Sequence, residues 1–526
     1  MRIALLYDGR SLAAWQRRAI DLIAKHHEIV LLIADGPGPR TRRRMRHALY
    51  YALNLAAVRN RLTRRVPFPP QEAGAADTLR FTPGNEHGWA VLPDVALKWL
   101  TTRRVDAVIK FGLNLLRIPS GAPPILSYHH GDPRVYRGRP AGFYELANGE
   151  LFMGQVIQIA SNEVDAGAVL AFAETRVHRH SYRKTLLEAY ALSPHLLAEA
   201  LGRLARAETL PYEPKGHNYR LPANAQVARV LMRSTWHGLQ RLAYGAFIEK
   251  RWRVALVHCD PAGDPPAMVA QAEQSVGRWR VPPLLPGYRF YADGFFHAGS
   301  DDLLVEALNA RTGKGELVRI RGECQTPIAS PGRMHVSYPQ TILENDVPYI
   351  VPETAADRPA IFRLEHDMLC KVADLDVDVD ADAIIDPTLV RHNGRVYLFG
   401  NRRREGTAML HLWSAPSLFA RFDAHPATPI RLSVRGSRMA GAVMTHSGQL
   451  FRLGQDCRRG YGDGVLCFRI EALSEREYRE AFYAEAAFST VKGPHTLNRH
   501  GDALLFDWYV EQFSPLAGIR RLAGKL

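Results

Sequence analysis

The sequence predicts a multidomain protein. An N-terminal α/β open-sheet domain covers residues 1–175, a helical connector 176–245, and a C-terminal all-β five-bladed propeller 246–526. Three observations carry this reading. The first 34 residues run apolar strand, helix, apolar strand, the β-α-β order of an open sheet. From His178 to about Lys250 the pattern is helical and polar. Beyond Lys250 a strand–turn–strand unit recurs at spacings of 45 to 56 residues, and propeller blades repeat at about 40–50 residues.

Ile3-Ala4-Leu5-Leu6-Tyr7 is a continuous apolar run ending in Asp8-Gly9, as a buried parallel strand requires. Ala13 to Lys25 reads as a helix with Ile20, Leu22 and Ile23 on its apolar side, and His27 to Ala34 as a second strand. No Gly-x-Gly-x-x-Gly follows the first strand, so the dinucleotide fingerprint is absent. The basic run Arg40–His47 leads into a helix. It reads as a solvated helix face, with contact to a phosphate-bearing substrate as the alternative. Val105–Gly112 is a third core strand.

Pro124-Ile125-Leu126 ends a further strand and opens the segment Ser127 to Gly138. A helix starts at Phe143-Tyr144-Glu145-Leu146, and Met153–Ile159 alternates as a strand before Val164-Asp165-Ala166-Gly167. A histidine at a strand end and a carboxylate on a later turn can form a charged pair in a cleft. A turn histidine and a surface aspartate are the plain alternative. In the connector, Leu186-Leu187, Ala191, Leu196-Leu197 and Ala200-Leu201 fit a helix, Pro211–Gly216 breaks it, and a second helix runs from about Asn224 to Tyr244.

The repeat starts fall at residues 293, 338, 386, 442 and 495. A single blade cannot bury both of its faces, so several must close into a ring. The strand at Trp252 is placed to complete the last blade; a β-sandwich is the alternative. Hydrophobic residues make up 46% and charged residues 23% of the chain, ordinary globular usage. The formal net charge of +15 favours anionic partners such as nucleotide sugars, nucleic acid or a membrane surface, without choosing among them. The five cysteines form no Cys-x-x-Cys pair, so reduced thiols and no metal are expected. No run approaches the roughly 18 apolar residues of a transmembrane segment, and a soluble cytoplasmic protein is expected.

Residues 127–167 resemble the folate-dependent formyltransferases, the family of methionyl-tRNA formyltransferase and the sugar N-formyltransferases. Its pattern is Asn-x-His-x-Ser-Leu-Leu-Pro-x-Tyr-Arg-Gly, followed by a strand and Asp-x-Gly. His129, Tyr136, Arg137 and Gly138 match in register, and Asp165 and Gly167 match the second part. The family asparagine falls on Ser127, and Gly131-Asp132-Pro133-Arg134 replaces Ser-Leu-Leu-Pro. The resemblance implies transfer of a formyl group from 10-formyltetrahydrofolate to an amine on a sugar or glycan precursor. It assigns catalysis to His129, Asp165 and Ser127, and cofactor binding to Phe111, Gly112, Leu113, Tyr136, Arg137 and Gly138. A protonated histidine suits an oxyanion on the formyl oxygen, and the carboxylate orients it and takes the amine proton. Serine reaches less far than asparagine; His130 or a water is the candidate to fill the gap. Nothing resembles the small C-terminal barrel that helps hold tRNA, so nucleic acid is not expected as a partner.

Ser337-Tyr338-Pro339, Val351–Thr354, Asp386–Leu389, Gln455-Asp456-Cys457 and His495–Asn498 look like the N-terminal domain of glucosamine inositolphosphorylceramide transferases. That domain is a five-bladed propeller akin to furanosidase-type glycoside hydrolases. The resemblance implies a central pocket with Asp293, Tyr338, Glu353, Asp386 and His495, with Tyr291 and Tyr338 offering flat faces to sugar rings. Buried together, the carboxylates should need water or a cation. Paired carboxylates can hydrolyse glycosides; binding or a structural role is preferred. Two alternatives to formyl transfer stand: a catalytically weak carbohydrate-binding protein, and furanosidase or glycosyltransfer chemistry in the propeller. A sugar-nucleotide or glycan partner is expected; oligomeric state is open.

Overall fold

The computed structural model describes residues 1–523 except 8–10, 36–43, 69–76, 114, 355–357, 380–381 and 459. Asp8-Gly9 and residues 40–43 of the basic run therefore lie outside the described residues. The chain divides into two compact units, Met1–Leu239 and Gln240–Leu526.

The first unit is built on a seven-stranded sheet with Arg2–Tyr7 inside it, flanked by Glu28–Ala34 and Ala107–Lys110. Thr78–Phe81 lies outside the former and Ile125–His129 outside the latter, all parallel. Phe152–Ile159 and Ala168–Arg176 extend the sheet antiparallel. Ile3 to Leu6 have no exposed surface, because both faces are covered and a continuous apolar run is what such a strand needs. The helix Ala14–Ile23 buries Trp15, Ala19, Ile20 and Ile23. Leu22, expected on that apolar side, is instead exposed, one residue off the buried stripe.

Residues 176–245 are not a free-standing connector. The helix Tyr182–Ala205 is capped by Ser181, whose side chain accepts from the Lys184 amide. It buries Leu186, Ala189, Leu196, Leu197, Ala200 and Leu201 within the first unit. Apolar residues on so many sides mark a core helix. The unit boundary falls inside the next helix, Asn224–Phe247.

The second unit is a five-bladed propeller. Its first blade is Tyr288–Phe296, Leu303–Asn309, Gly315–Arg321 and Cys324–Ile328, and its second Val336–Glu344, Val347–Thr354, Ala360–Glu365 and Met368–Asp374. The third blade begins with Ile384–His392 and the fourth with Arg435–Met439. The fifth joins Leu497–His500 and Ala503–Phe513 to Ile248–His258, which pairs antiparallel along Ala503–Phe513 with Trp252 opposite Tyr509. The strand at Trp252 thus does complete the last blade, and this pairing of the two ends removes the open edge that an unclosed ring would expose.

The sequence repeat has a structural cause. The innermost strands of the first three blades each carry a bulge, between Ala292 and Phe295, Ser337 and Gln340, and Ile385 and Thr388. Asp293, Tyr338 and Asp386 sit there at φ 47°. This left-handed conformation is uncommon for residues with a side chain, and bulges re-aim side chains.

Candidate functional site

His129 closes the strand Ile125–His129, and Asp165 follows the strand Phe152–Ile159 on a turn with φ 49°. His129 Nδ1 lies 3.2 Å from Asp165 Oδ2, and His129 Nε2 lies 2.8 Å from the Tyr136 carbonyl. Both neighbours are acceptors, so a ring with a proton on each nitrogen satisfies both.

The flanking motif residues build this pair. The Gly138 amide donates to Asp165 Oδ2 at 2.9 Å. Arg137 Nε and Nη2 donate to the Val164 carbonyl at 2.9 and 2.7 Å, and Nη1 to that of Pro214. Tyr136 supplies the carbonyl beneath His129, while its hydroxyl donates to Glu150 and accepts from Asn148. A Cβ on Gly138, at φ +84°, would stand 2.2 Å from the Tyr219 carbonyl, and one on Gly167 1.8 Å from that of Ile159. Only glycine fits either place. The Tyr-Arg-Gly and Asp-x-Gly segments are thus tied to each other and aim the aspartate at the histidine.

Ser127 is buried two residues before His129 on the same face. Directly opposite it stands Gln158, 3% exposed. The Gln158 amide donates to Asp165 Oδ1 at 3.4 Å, and its carbonyl accepts from the Gly167 amide. Sequence reasoning missed Gln158; the signal was its cross-strand register with Ser127. His130 does not fill the place of the family asparagine. Adjacent strand residues face opposite sides, and His130 Nε2 lies 2.9 Å from Ser193 Oγ on the helix side. Burial there pushes His130 down to about 3. Phe111 stacks on Tyr128 at 5.9 Å and meets Trp15 edge-on, on that helix side and not beside His129. The Phe111 and Gly112 amides donate to the Leu6 carbonyl, and the Leu113 carbonyl accepts from Lys110 Nζ.

The second unit gathers charged side chains from all five blades. Asp293 Oδ1 accepts from Thr496 Oγ1 and lies 3.2 Å from His495 Nε2. Asp507 Oδ2 lies 2.6 Å from His495 Nδ1. Asp507 also accepts from the amides of Asp293, His495 and Thr496. Burial pulls His495 down, but Asp507 and Asp293 outweigh it and push the imidazole up to about 10. Burial raises Asp293, and His495 outweighs that, holding it down to about 2. The ligand atoms of Asp293, His495 and Asp507 lie within 4.8 Å of one another, yet both imidazole nitrogens face carboxylates. The imidazolium is itself the cation between them.

Asp386 receives Arg438 Nε and Nη2 and, at 3.2 Å, Gln455 Nε2. Glu353 Oε2 accepts from the Asp386 amide at 3.1 Å. Burial, then the Asp386 charge, pushes Glu353 up to about 8. Burial and Asp293 likewise raise Glu306 well above the carboxylate range. Asp293, Glu353, Asp386 and His495 are thus gathered together, with positive charge supplied by His495, Arg438 and Arg403, whose Nη2 lies 3.5 Å from Glu353 Oε1. Tyr338 and Tyr291 do not offer faces to a ligand. Both are buried: Tyr338 OH bridges Thr388 and the Gly441 amide at 2.8 Å each, and Tyr291 OH donates to Gln325. The exposed ring is Tyr461, 39% accessible, with the Arg438 guanidinium 4.7 Å from its centroid and His495 edge-on at 4.9 Å.

Residues 289–502 match the family model of glucosamine inositolphosphorylceramide transferase 1, N-terminal. Glucosamine inositolphosphorylceramide transferase 1 of Arabidopsis thaliana is 27% identical over 233 residues, 40% of this chain and 29% of that protein. Its namesake from Oryza sativa subsp. japonica is 29% identical over 225 residues, 38% of this chain and 29% of that protein. The chain therefore spans less than a third of the length of these relatives. Among solved structures, the chain is similar to the N-formyltransferase of Helicobacter canadensis, in complex with folinic acid and dTDP-3-aminofucose. The TM-score is 0.29 at 10% identity, over 44% of this chain and 80% of that one. For phosphoribosylglycinamide formyltransferase of Anaplasma phagocytophilum the TM-score is 0.27 at 15% identity, over 39% and 88%.

Proposed function

We propose that the first unit transfers a formyl group from 10-formyltetrahydrofolate to an amine on a sugar or glycan precursor, and that the propeller holds carbohydrate. The observation that carries the reading is the His129–Asp165 pair at the strand ends, aimed by the two glycine-bearing motifs. The donor set suits the chemistry: an imidazole, a hydroxyl and an amide (His129, Ser127, Gln158) share one face with a carboxylate. When bound, the folate would supply the formyl carbon: the amine would bond to it, the carbon–N10 bond would break, and tetrahydrofolate would leave with N10 carrying the proton that the amine gave up. His129 holds the proton that stabilises the developing oxyanion, and Asp165 keeps the ring oriented and receives the amine proton. In the second unit, Asp293 and Asp386 are ion-paired to His495 and Arg438, which favours sugar binding over glycoside hydrolysis. Joining a carbohydrate-holding unit to a transferase raises the effective concentration of acceptor.

One observation favours a second reading, carbohydrate binding without transfer. His129 Nε2 faces the Tyr136 carbonyl, so the ring must release that bond to meet a formyl oxygen. The test is mass-spectrometric detection of formylated product from the full chain, 10-formyltetrahydrofolate and a panel of amino sugars and sugar nucleotides. A product lost in His129→Ala supports transfer. Glycan binding by calorimetry with no formylated product leaves the second reading.

A further inference from the structure

The helix Asn224–Phe247 buries only Val227 and Val230. Its other apolar residues point outward: Met232 is 68% exposed, Trp236 60%, Leu239 55% and Leu242 71%. Spaced three to four residues apart, they share one side. Arg229, Arg233, His237 and Arg241 follow at four-residue intervals and form an adjoining stripe, and no Asp or Glu occurs from 224 to 247. Monomeric soluble proteins rarely expose so much contiguous apolar surface.

At the N-terminal end of the helix, Asn224 Nδ2 donates to the Met45 carbonyl and its Oδ1 accepts from the Leu49 amide. The described end of the basic run is thereby fixed beside the helix, with Met45 82% exposed between Arg44 and Arg46.

We propose that this helix lies on an anionic lipid surface, its Met232–Trp236–Leu239–Leu242 side in the acyl boundary and its arginines among the headgroups. A basic amphipathic helix with Trp and Leu on its apolar side has the composition of an interfacial helix. It lies on the membrane and does not cross it, since no described helix is long and apolar enough to span one. The charge argues against a second copy as occupant, which would set one acid-free basic stripe against another.

The test is co-sedimentation of the full chain with vesicles of phosphatidylcholine alone, or of phosphatidylcholine and phosphatidylserine in equal parts. Binding to the anionic vesicles should exceed binding to the neutral ones by at least about tenfold and weaken as salt is raised. The double variant Trp236→Ser, Leu242→Ser should lower it by a further factor of about ten. Arg229→Gln and Arg241→Gln should each lower it about fivefold. Equal binding to both vesicle types, or none, overturns the proposal. So does a dimer by light scattering that the double variant abolishes, which would assign the face to a second copy.

Discussion

His129 and Asp165 meet at 3.2 Å, and the aspartate is held there from outside its own turn, by the Gly138 amide on one oxygen and Gln158 on the other. This separates charge from geometry. Asp165→Asn keeps an oxygen for the Gly138 amide and loses the charge facing the imidazole. Formyl transfer should fall by about 10²–10⁴, with the thermal midpoint little changed. Steady-state kinetics beside thermal melting checks it. Unchanged kcat/KM in a folded variant would remove the pair from the chemistry.

The Asp-x-Gly glycine is fixed by space. A methyl group at 167 would overlap the Ile159 carbonyl, and backbone cannot yield as a side chain can. Gly167→Ala should destabilise the first unit by about 1–3 kcal/mol or more, read by urea denaturation. Stability equal to the parent would mean that the turn repacks freely.

Gly131 is confined in the same way. Its Cβ position is 2.7 Å from His129 Nε2 and 3.0 Å from the Tyr136 carbonyl. Gly131→Ala should displace the imidazole from that carbonyl and change kcat/KM for formyl transfer by about tenfold or more, with a smaller loss of stability than Gly167→Ala. The sign separates the two readings of the Nε2 contact. A gain means the carbonyl restrains a competent histidine; a loss means the contact positions it.

Much of this was legible in the chain because it is local. Continuous apolar runs gave the parallel strands, and the repeat at Asp293, Tyr338 and Asp386 marked the bulged inner strands. His129 and Asp165 were legible through the motifs around them. The side taken by His130 was also open to reading, since neighbours on a strand alternate. Arg438 and Tyr461 carried no local signal: they reach Asp386 and His495 only when the ring brings distant strands together; Asp507 lies across the last hairpin from His495, and that pairing was within reach of the strand–turn–strand pattern. The helix Tyr182–Ala205 was legible as a helix, but its place in the first unit's core was not, because its periodicity shows that it is apolar and not what it packs against.

The charged network in the propeller makes its stability depend on pH. Glu353 is raised from 4.5 to about 8. The folded state therefore holds its proton more tightly than the unfolded chain. That contribution is fully present below about pH 4.5 and lost as pH rises through about 8. His495, raised from 6.5 to about 10, contributes with the same sign, fully below about pH 6.5 and lost as pH rises through about 10. Asp293, lowered to about 2, keeps its contribution above the usual carboxylate range and loses it only as pH falls through that value. The unfolding midpoint of the second unit should thus decline from pH 5 toward pH 9. Glu353→Gln should flatten the slope below pH 8 and exceed the parent in stability at pH 8, and His495→Gln should flatten it above pH 7. Parallel melting curves for parent and variants across this range would contradict the assignment.

Ser127 tests how the site came to differ from the formyltransferase pattern. Serine is shorter than the asparagine of that pattern, and the helix-side orientation of His130 leaves Gln158 as the neighbouring amide. Gln158 is already engaged at both ends, by Asp165 and by the Gly167 amide. It can brace the carboxylate but has little freedom to donate elsewhere. An asparagine at 127 would add a donor on the His129 face, and one oxyanion donor is worth about 10²–10³ in rate at most. Ser127→Asn should therefore raise kcat for transfer to an amino sugar, with KM for the acceptor near the parent value. The double variant Ser127→Asn, Gln158→Ala should lose most of that gain, because Asp165 would no longer be braced. If Ser127→Asn instead lowers kcat while the protein stays folded, the pocket has been rebuilt around serine and the segment Gly131-Asp132-Pro133-Arg134. In that segment the Asp132 carboxylate is already bound by the Arg134 guanidinium at 2.7 Å.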